Sequence, residues 1–163
     1  MAKLDLSLRK KTMASKDNLV EAKLNKAYLR GANLEKANLK RASLKKANLR
    51  KANLRGANLS EADLNNADLS EADLTNANLS QANLSEVQFF ECNLDGVSLK
   101  NADMNNAKIN RASFCGADLT EAKNIPVNEL NLAVISPDTK LPEYLKITWI
   151  SESNFKIESQ KDK

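Results

Sequence analysis

The sequence predicts an all-β solenoid, a chain that corners the same way once every five residues and stacks its coils in parallel. Three observations predict it. An Ala-Asn/Asp-Leu-x-x unit recurs without a gap from Ala22 to Glu121, twenty times in all. Its central residue falls at Leu24, Leu29, Leu34 and on in steps of five to Leu119, being Leu in sixteen units and Phe89, Met104, Ile109 or Phe114 in the rest. Finally, a period of five suits neither common element. On an α-helix, at about 100° per residue, successive centres fall about 140° apart and wind round every side. On a flat strand an odd spacing sends alternate centres to opposite faces. A backbone that corners at each pentad lets all the centres share one interior, and the coil above or below can supply the partners that its N–H and C=O groups need.

Within the unit, the residue two before the centre is Ala in seventeen cases and Val87, Cys92 or Val97 in the other three. One small and one bulky side chain per wall is what a narrow interior holds at protein packing density. The residue between them is Asn or Asp in thirteen units, and the two after the centre are polar or Gly almost throughout. Runs such as Ala32-Asn33-Leu34, Ala62-Asp63-Leu64 and Ala117-Asp118-Leu119 closely resemble the pentapeptide repeat family, over about three-fifths of the chain. The resemblance implies a right-handed quadrilateral parallel β-helix with four pentapeptides per coil. Twenty units then make about five coils, a core roughly 24 Å long at about 4.8 Å per coil.

Residues 1–17 precede the regular units as a basic segment with Arg9, Lys10, Lys11 and Lys16. Leu4, Leu6 and Leu8 alternate with polar residues there, as a short strand covering the first coil would. Capping and disorder both fit the segment, although an open ladder end invites association unless something covers it.

The repeat domain, 18–123, hides a charge division beneath a net charge of +4. Met1 to Ala57 hold sixteen Lys/Arg against four Asp/Glu, while Asn58 to Lys123 hold four against eleven. Lys40, Arg41, Lys45, Lys46, Arg50, Lys51 and Arg55 fall within one inferred coil, on outward positions of successive walls. They form a girdle, not a one-sided patch, and are the candidate site for an anionic partner. Glu61, Asp63, Asp68, Glu71 and Asp73 make a candidate acidic surface on the next coil. With residues twenty apart stacked, Arg41 meets Glu61, Lys51 meets Glu71 and Arg111 meets Glu91. Such exposed pairs are worth about 0 to 1 kcal/mol each, the mark of a solvated face. Stacked like charges, Arg30 with Arg50 and Lys26 with Lys46, speak instead for an acidic partner or for head-to-tail contact between rods.

Between Val87 and Phe114 the pattern loosens but keeps register, with Phe89 inward, Phe114 beneath Leu94 and Phe90 outward as a candidate contact. Cys92 takes the small inward position and Cys115 faces solvent. The two point to opposite sides of a wall, so no disulfide is expected.

After Glu121 the repeat stops. In the region 124–150, Ile125-Pro126 ends the strand pattern and Val127, Leu130, Ala133 and Val134 recur at helical spacing over Val127 to Ile135. Ser136-Pro137-Asp138-Thr139 reads as a turn. A short helix and the apolar residues up to Ile150 are expected to press on the last coil. This resembles the small C-terminal helical cap of many family members, a region through which some pair two chains. Tyr144, Trp149 and Ile150, with Phe90, are therefore candidate cap or dimer contacts. Residues 151–163 read as a polar, flexible tail.

Catalysis and metal binding need convergent reactive groups, and a regular rod spreads its groups along flat walls. The chain has no His, two Cys without metal spacing and no Gly-rich phosphate loop, so no catalytic residue, metal or cofactor is expected. Asp63, Asp68 and Asp73 sit at different corners of one coil and cannot chelate together. No stretch is apolar enough to span a bilayer and the first residues lack the apolar core of a signal peptide, which makes the cytoplasm the expected location. The reading of function is a non-catalytic scaffold for a protein partner that the sequence does not name, with self-association end to end or through the C-terminal cap. One alternative is a basic girdle that binds nucleic acid or another anion. The other is a DNA mimic acting on a topoisomerase such as gyrase, which the fold-level resemblance to the gyrase-protecting quinolone-resistance proteins raises. Mimicry copies a phosphate backbone and needs negative charge along the whole rod, whereas half of this one is positive.

Overall fold

The structure is a computed structural model that describes residues 18–151 and 154–160. The expected cap at residues 1–17 lies outside the described residues. Each pentad closes a β-turn, with the N–H of the small residue donating to the carbonyl of the preceding centre, as Ala27 does to Leu24 at 3.1 Å and Ala52 to Leu49 at 3.0 Å. The second residue after every centre has positive φ, the mark of type II turns, in unbroken steps of five from Glu21 to Glu121. Only Gly31, Gly56, Gly96 and Gly116 fill it with glycine. The corner is therefore enforced by stacking and not by the residue that occupies it.

Parallel bridges join residues twenty apart along four walls. One wall runs Lys23, Ser43, Asp63, Asn83, Asp103, Lys123, and the others pass through Tyr28, Asn33 and Asn38. Four pentads thus complete one coil, and the coils can be counted from Asn18, Asn38, Asn58, Asn78 and Ser98.

The ladder explains the Asn/Asp preference, whose reason the sequence alone did not give. In a typical unit four of the five N–H groups find a backbone carbonyl, one across the turn and three in neighbouring coils. The remaining N–H belongs to the residue after the centre. The Oδ1 of the Asn or Asp two residues before it accepts that bond, as in Lys40 to Asn38, Ser60 to Asn58, Thr75 to Asp73 and Thr120 to Asp118. Where Ser43 and Ser113 stand instead, the coil above substitutes. Asn25 Oδ1 accepts from the Lys45 N–H at 3.0 Å, and Asp95 Oδ1 from that of Cys115, also at 3.0 Å. Such accounting matters because an orphaned N–H near the core costs about 1–3 kcal/mol.

The interior is one continuous apolar column in which the centres from Leu24 to Leu119 are 0–4% exposed. Phe89 and Phe114 lie wholly inside, while Phe90 points out. Cys92 is buried, Cys115 is half-buried, and both are free thiols.

Beyond Lys123 the structure departs from the sequence reading. The helix α1 covers only Val127–Leu130, where helical spacing had suggested a run to Ile135. The chain leaves the helix because the last coil still presents open ladder groups. Val134 bridges to Ser113 and Lys140 to Asp118, giving carbonyls to the N–H groups of Phe114 and Leu119. The supposed tail also contains a strand. β1, Leu145–Trp149, pairs antiparallel with β2, Phe155–Ser159. Leu145 and Ile157 are buried, and Ile147, Trp149 and Phe155 pack partly against the core. The C-terminal cap is thus a one-turn helix with a hairpin, sealing the column where a helical cap was expected.

Candidate interaction surfaces of the rod

The structure brings the two charged candidate sets together. Lys40 Nζ lies 3.0 Å from Glu61, Arg41 Nε 2.7 Å from Glu61 and Lys45 Nζ 2.9 Å from Asp63. Arg50 reaches Glu71 at 2.6 Å and Asp68 at 3.7 Å, Lys51 reaches Glu71 at 3.0 Å, and Arg55 reaches Asp73 at 3.0 Å. Six of the seven girdle cations are thereby tied to all five acids of the coil below. Arg111 likewise meets Glu91 at 3.2 Å.

The hydrogen bond from Arg41, followed by that from Lys40, holds the Glu61 carboxyl below the usual carboxylate range. Lys51, then Arg50, does the same for Glu71. Burial pushes the Asp73 carboxyl up, but the Thr75 hydroxyl and N–H together with Arg55 outweigh it, so the net direction is down.

Lys46 has no acidic partner among the described residues, and neither do Lys23, Lys26, Arg30 and Lys36 of the first coil. Lys23, Lys26, Arg30 and Lys46 belong to one sector, around the wall of Tyr28 in the first two coils, and all are exposed. Tyr28 sits among them, 50% exposed. Lys26 stands directly above Lys46, one coil apart. The girdle therefore closes on itself, and most of the positive charge left over gathers in this sector, with Lys36 alone at the diagonally opposite corner.

The apolar candidates separate. Phe90 is 38% exposed and carries the Arg111 guanidinium 5.7 Å from its ring centroid. Tyr144 donates its hydroxyl to the Ala122 carbonyl at 2.9 Å and so ties the cap to the last coil of its own chain. Trp149 stands edge-on to Phe155 with centroids 5.4 Å apart, and Ile150 is 66% exposed at the end of the hairpin strand.

Two residues that the sequence did not single out hold the cap. Glu129 Oε2 accepts from the N–H groups of Ile109 and Asn110, each at 3.2 Å, in place of the carbonyl that a further coil would offer Ile109 and of the side-chain oxygen that Lys108 cannot offer Asn110. Asn131 pairs with both backbone groups of Ile157, at 2.8 and 3.1 Å. Glu129 falls twenty residues after Ile109, where a next centre would stand, but an acid replaces the apolar residue and both lie beyond the last regular unit, so only the register of the broken ladder reveals them.

The family model for pentapeptide repeats matches the chain with eight copies, over residues 18–56, 52–87 and 82–121. Among solved structures, HetL is a pentapeptide repeat protein involved in heterocyst differentiation regulation in the cyanobacterium Nostoc sp. strain PCC 7120. It is 33% identical at a TM-score of 0.67, over 75% of this chain and 56% of its own. A pentapeptide repeat protein of the Arabidopsis thaliana thylakoid lumen is 36% identical at a TM-score of 0.53, over 61% of this chain and 66% of its own. The chain thus spans 56% and 66% of the lengths of these two proteins. No curated protein matches it. No helix among the described residues is long and apolar enough to cross a membrane.

Proposed function

The chain belongs to the pentapeptide repeat family of right-handed, generally non-catalytic β-helices, and we propose that it is a scaffold that docks an acidic protein surface on the basic face of its first two coils. The observation that carries the reading is the asymmetry of pairing. Charges between the second and third coils are spent on each other, whereas Lys23, Lys26, Arg30 and Lys46 meet no acid among the described residues. Lys26 over Lys46 is a like-charge stack that costs stability unless a partner neutralises it. The wall is flat and the cluster only two coils high, about 5 Å between rows. That shape suits a protein surface better than a duplex, whose affinity grows with the number of phosphates met.

The test is retention on immobilised polyglutamate and on a DNA duplex over a range of salt concentrations. The polypeptide is expected to bind in a salt-sensitive way. Combined K26E, R30E and K46E changes abolish that binding, while neutralising the paired Lys45, Arg50 and Lys51 to Gln leaves most of it. Equal losses in the two variants, or retention on the duplex alone, would overturn the reading.

A further inference from the structure

We infer that two copies of the chain lie side by side and antiparallel, the wall of Lys23 and Asp103 of one rod set against the same wall of the other about a two-fold axis at the third coil. The inference rests on the docking reading and names the acidic surface as that of a second copy. Neither end of the rod takes part, and neither does the hairpin.

The charge left unpaired along this wall carries the inference. The wall runs Lys23, Ser43, Asp63, Asn83, Asp103, and the corner beside it runs Lys26, Lys46, Asn66, Glu86, Asn106. In the upper two coils Lys23, Lys26 and Lys46 are exposed and meet no acid among the described residues. The lower two coils hold the reverse. Glu86 is exposed, with Asn66 above it and Asn106 below, and meets no cation among the described residues. Asp103 takes the Asn105 N–H at 3.1 Å and the Asn124 amide at 2.9 Å, both on Oδ1, which leaves Oδ2 for a cation. Between the two regions the unpaired positions are uncharged: Asn65, Asn66, Gln81, Asn83 and Ser85.

The register follows from the spacing of these charges. When two like walls meet antiparallel about a two-fold axis, each column faces itself with its coil order reversed, so the second coil meets the fourth and the first meets the fifth. With the axis at the third coil, Lys46 faces Glu86 and Lys23 faces Asp103, and by symmetry each pair forms twice. Lys26 faces Asn106, and Asn66 faces its own counterpart, amide to amide. Glu61 and Asp63 also face their counterparts, but each already carries a cation, Arg41 at 2.7 Å and Lys45 at 2.9 Å. A Glu86 carboxylate laid on Lys46 also relieves the stack of Lys26 over Lys46. The other walls do not match in this way. Under the same operation Arg30 and Lys36, which likewise lack an acid among the described residues, face Asn110 and Gly116. Because the contact is isologous, it closes at two copies.

Light scattering across a concentration series of the full chain at low ionic strength reads the outcome. A rise from the 18.0 kDa monomer mass to twice that value is expected, and added salt should reverse it. K46E and E86K should each weaken association at least tenfold, because each sets like charges face to face. The double variant K46E/E86K should restore most of it, since the exchanged pair is again complementary. Both positions are exposed, so the substitutions leave the core untouched. R30E should lower polyglutamate retention and leave association unchanged, which separates this inference from the docking reading. A wild-type chain that stays monomeric into the millimolar range would overturn the inference, and the docking reading would still stand if that chain is retained on polyglutamate. A double variant that associates no better than the single ones would also overturn it. So would a dimer lost on Ile150→Asp but indifferent to K46E, which would place the contact at the cap.

Discussion

The first coil and the boundary between the second and third coils share one backbone, one turn and one apolar column, yet their surfaces behave differently. At the boundary, each outward cation but Lys46 finds an acid one coil below. Below Lys26 and Arg30 lie only Lys46 and Arg50. The lesson is that on a stacked repeat the meaning of a surface charge is set by its vertical neighbour. Composition along the chain locates charge, and register decides whether that charge remains available.

The comparison can first be broken through the core the two regions share. Leu64 has a coil above and below it and is fully buried, so Leu64→Ala should cost about 2–5 kcal/mol in a denaturant melt. Leu64→Lys should abolish the folded state, while Asn65→Lys on the outward side stays close to wild type. Leu29→Ala should cost less than Leu64→Ala, because in a stack held by nearest-neighbour contacts the end coil can fray alone.

A smaller contrast lies at the corners. Gly31 and Gly96 share a φ of 65°. A Cβ at Gly31 meets open space, whereas at Gly96 it runs into Oδ1 of Asn76. Gly31→Ala should cost about 1 kcal/mol or less and Gly96→Ala more, though within about 3 kcal/mol, as thermal melts of the two variants would reveal.

The smallest effects concern the ion pairs. Glu61→Gln should leave stability at neutral pH close to that of the wild type, because exposed pairs are screened by solvent. Its consequence appears in acid. The carboxyls of Glu61, Glu71 and Asp73 are held down in the folded chain. Their contribution is therefore complete above the unfolded values, near pH 4, and is lost as pH falls through the lower folded values. The melting temperature should drop below about pH 4, and Glu61→Gln with Glu71→Gln should flatten that drop.

How much of this was legible depends on whether the feature repeats. The pairs Arg41–Glu61, Lys51–Glu71 and Arg111–Glu91 could be read in advance, since residues in one column are fixed by the coil length. The diagonal reaches of Lys40 to Glu61, Arg50 to Glu71 and Arg55 to Asp73 could not, because long side chains leave their own column to reach the acid. Once these are counted, Lys46 alone of the girdle is left over, beneath the unpaired cations of the first coil. The Asn/Asp preference was visible in the sequence, but its purpose required knowing which N–H the backbone leaves over. At the C-terminus the helical spacing over Val127 to Ile135 lost to unfilled ladder positions at Ser113 and Asp118, and Glu129 and Asn131 lie past the last regular unit, Glu129 as an acid where the period would place an apolar centre.

The central claim is tested most directly by placing an acid beneath Lys46, which meets none among the described residues, and touching no cation at all. Asn66 stands one coil below Lys46 in the corner position that Glu61 and Glu71 already occupy with the same sign of φ. Asn66→Glu should tie up Lys46 and lower polyglutamate binding several-fold, while Asn106→Glu, two coils further down, leaves binding unchanged. Equal binding by wild type and Asn66→Glu, or equal losses in both variants, would contradict the account.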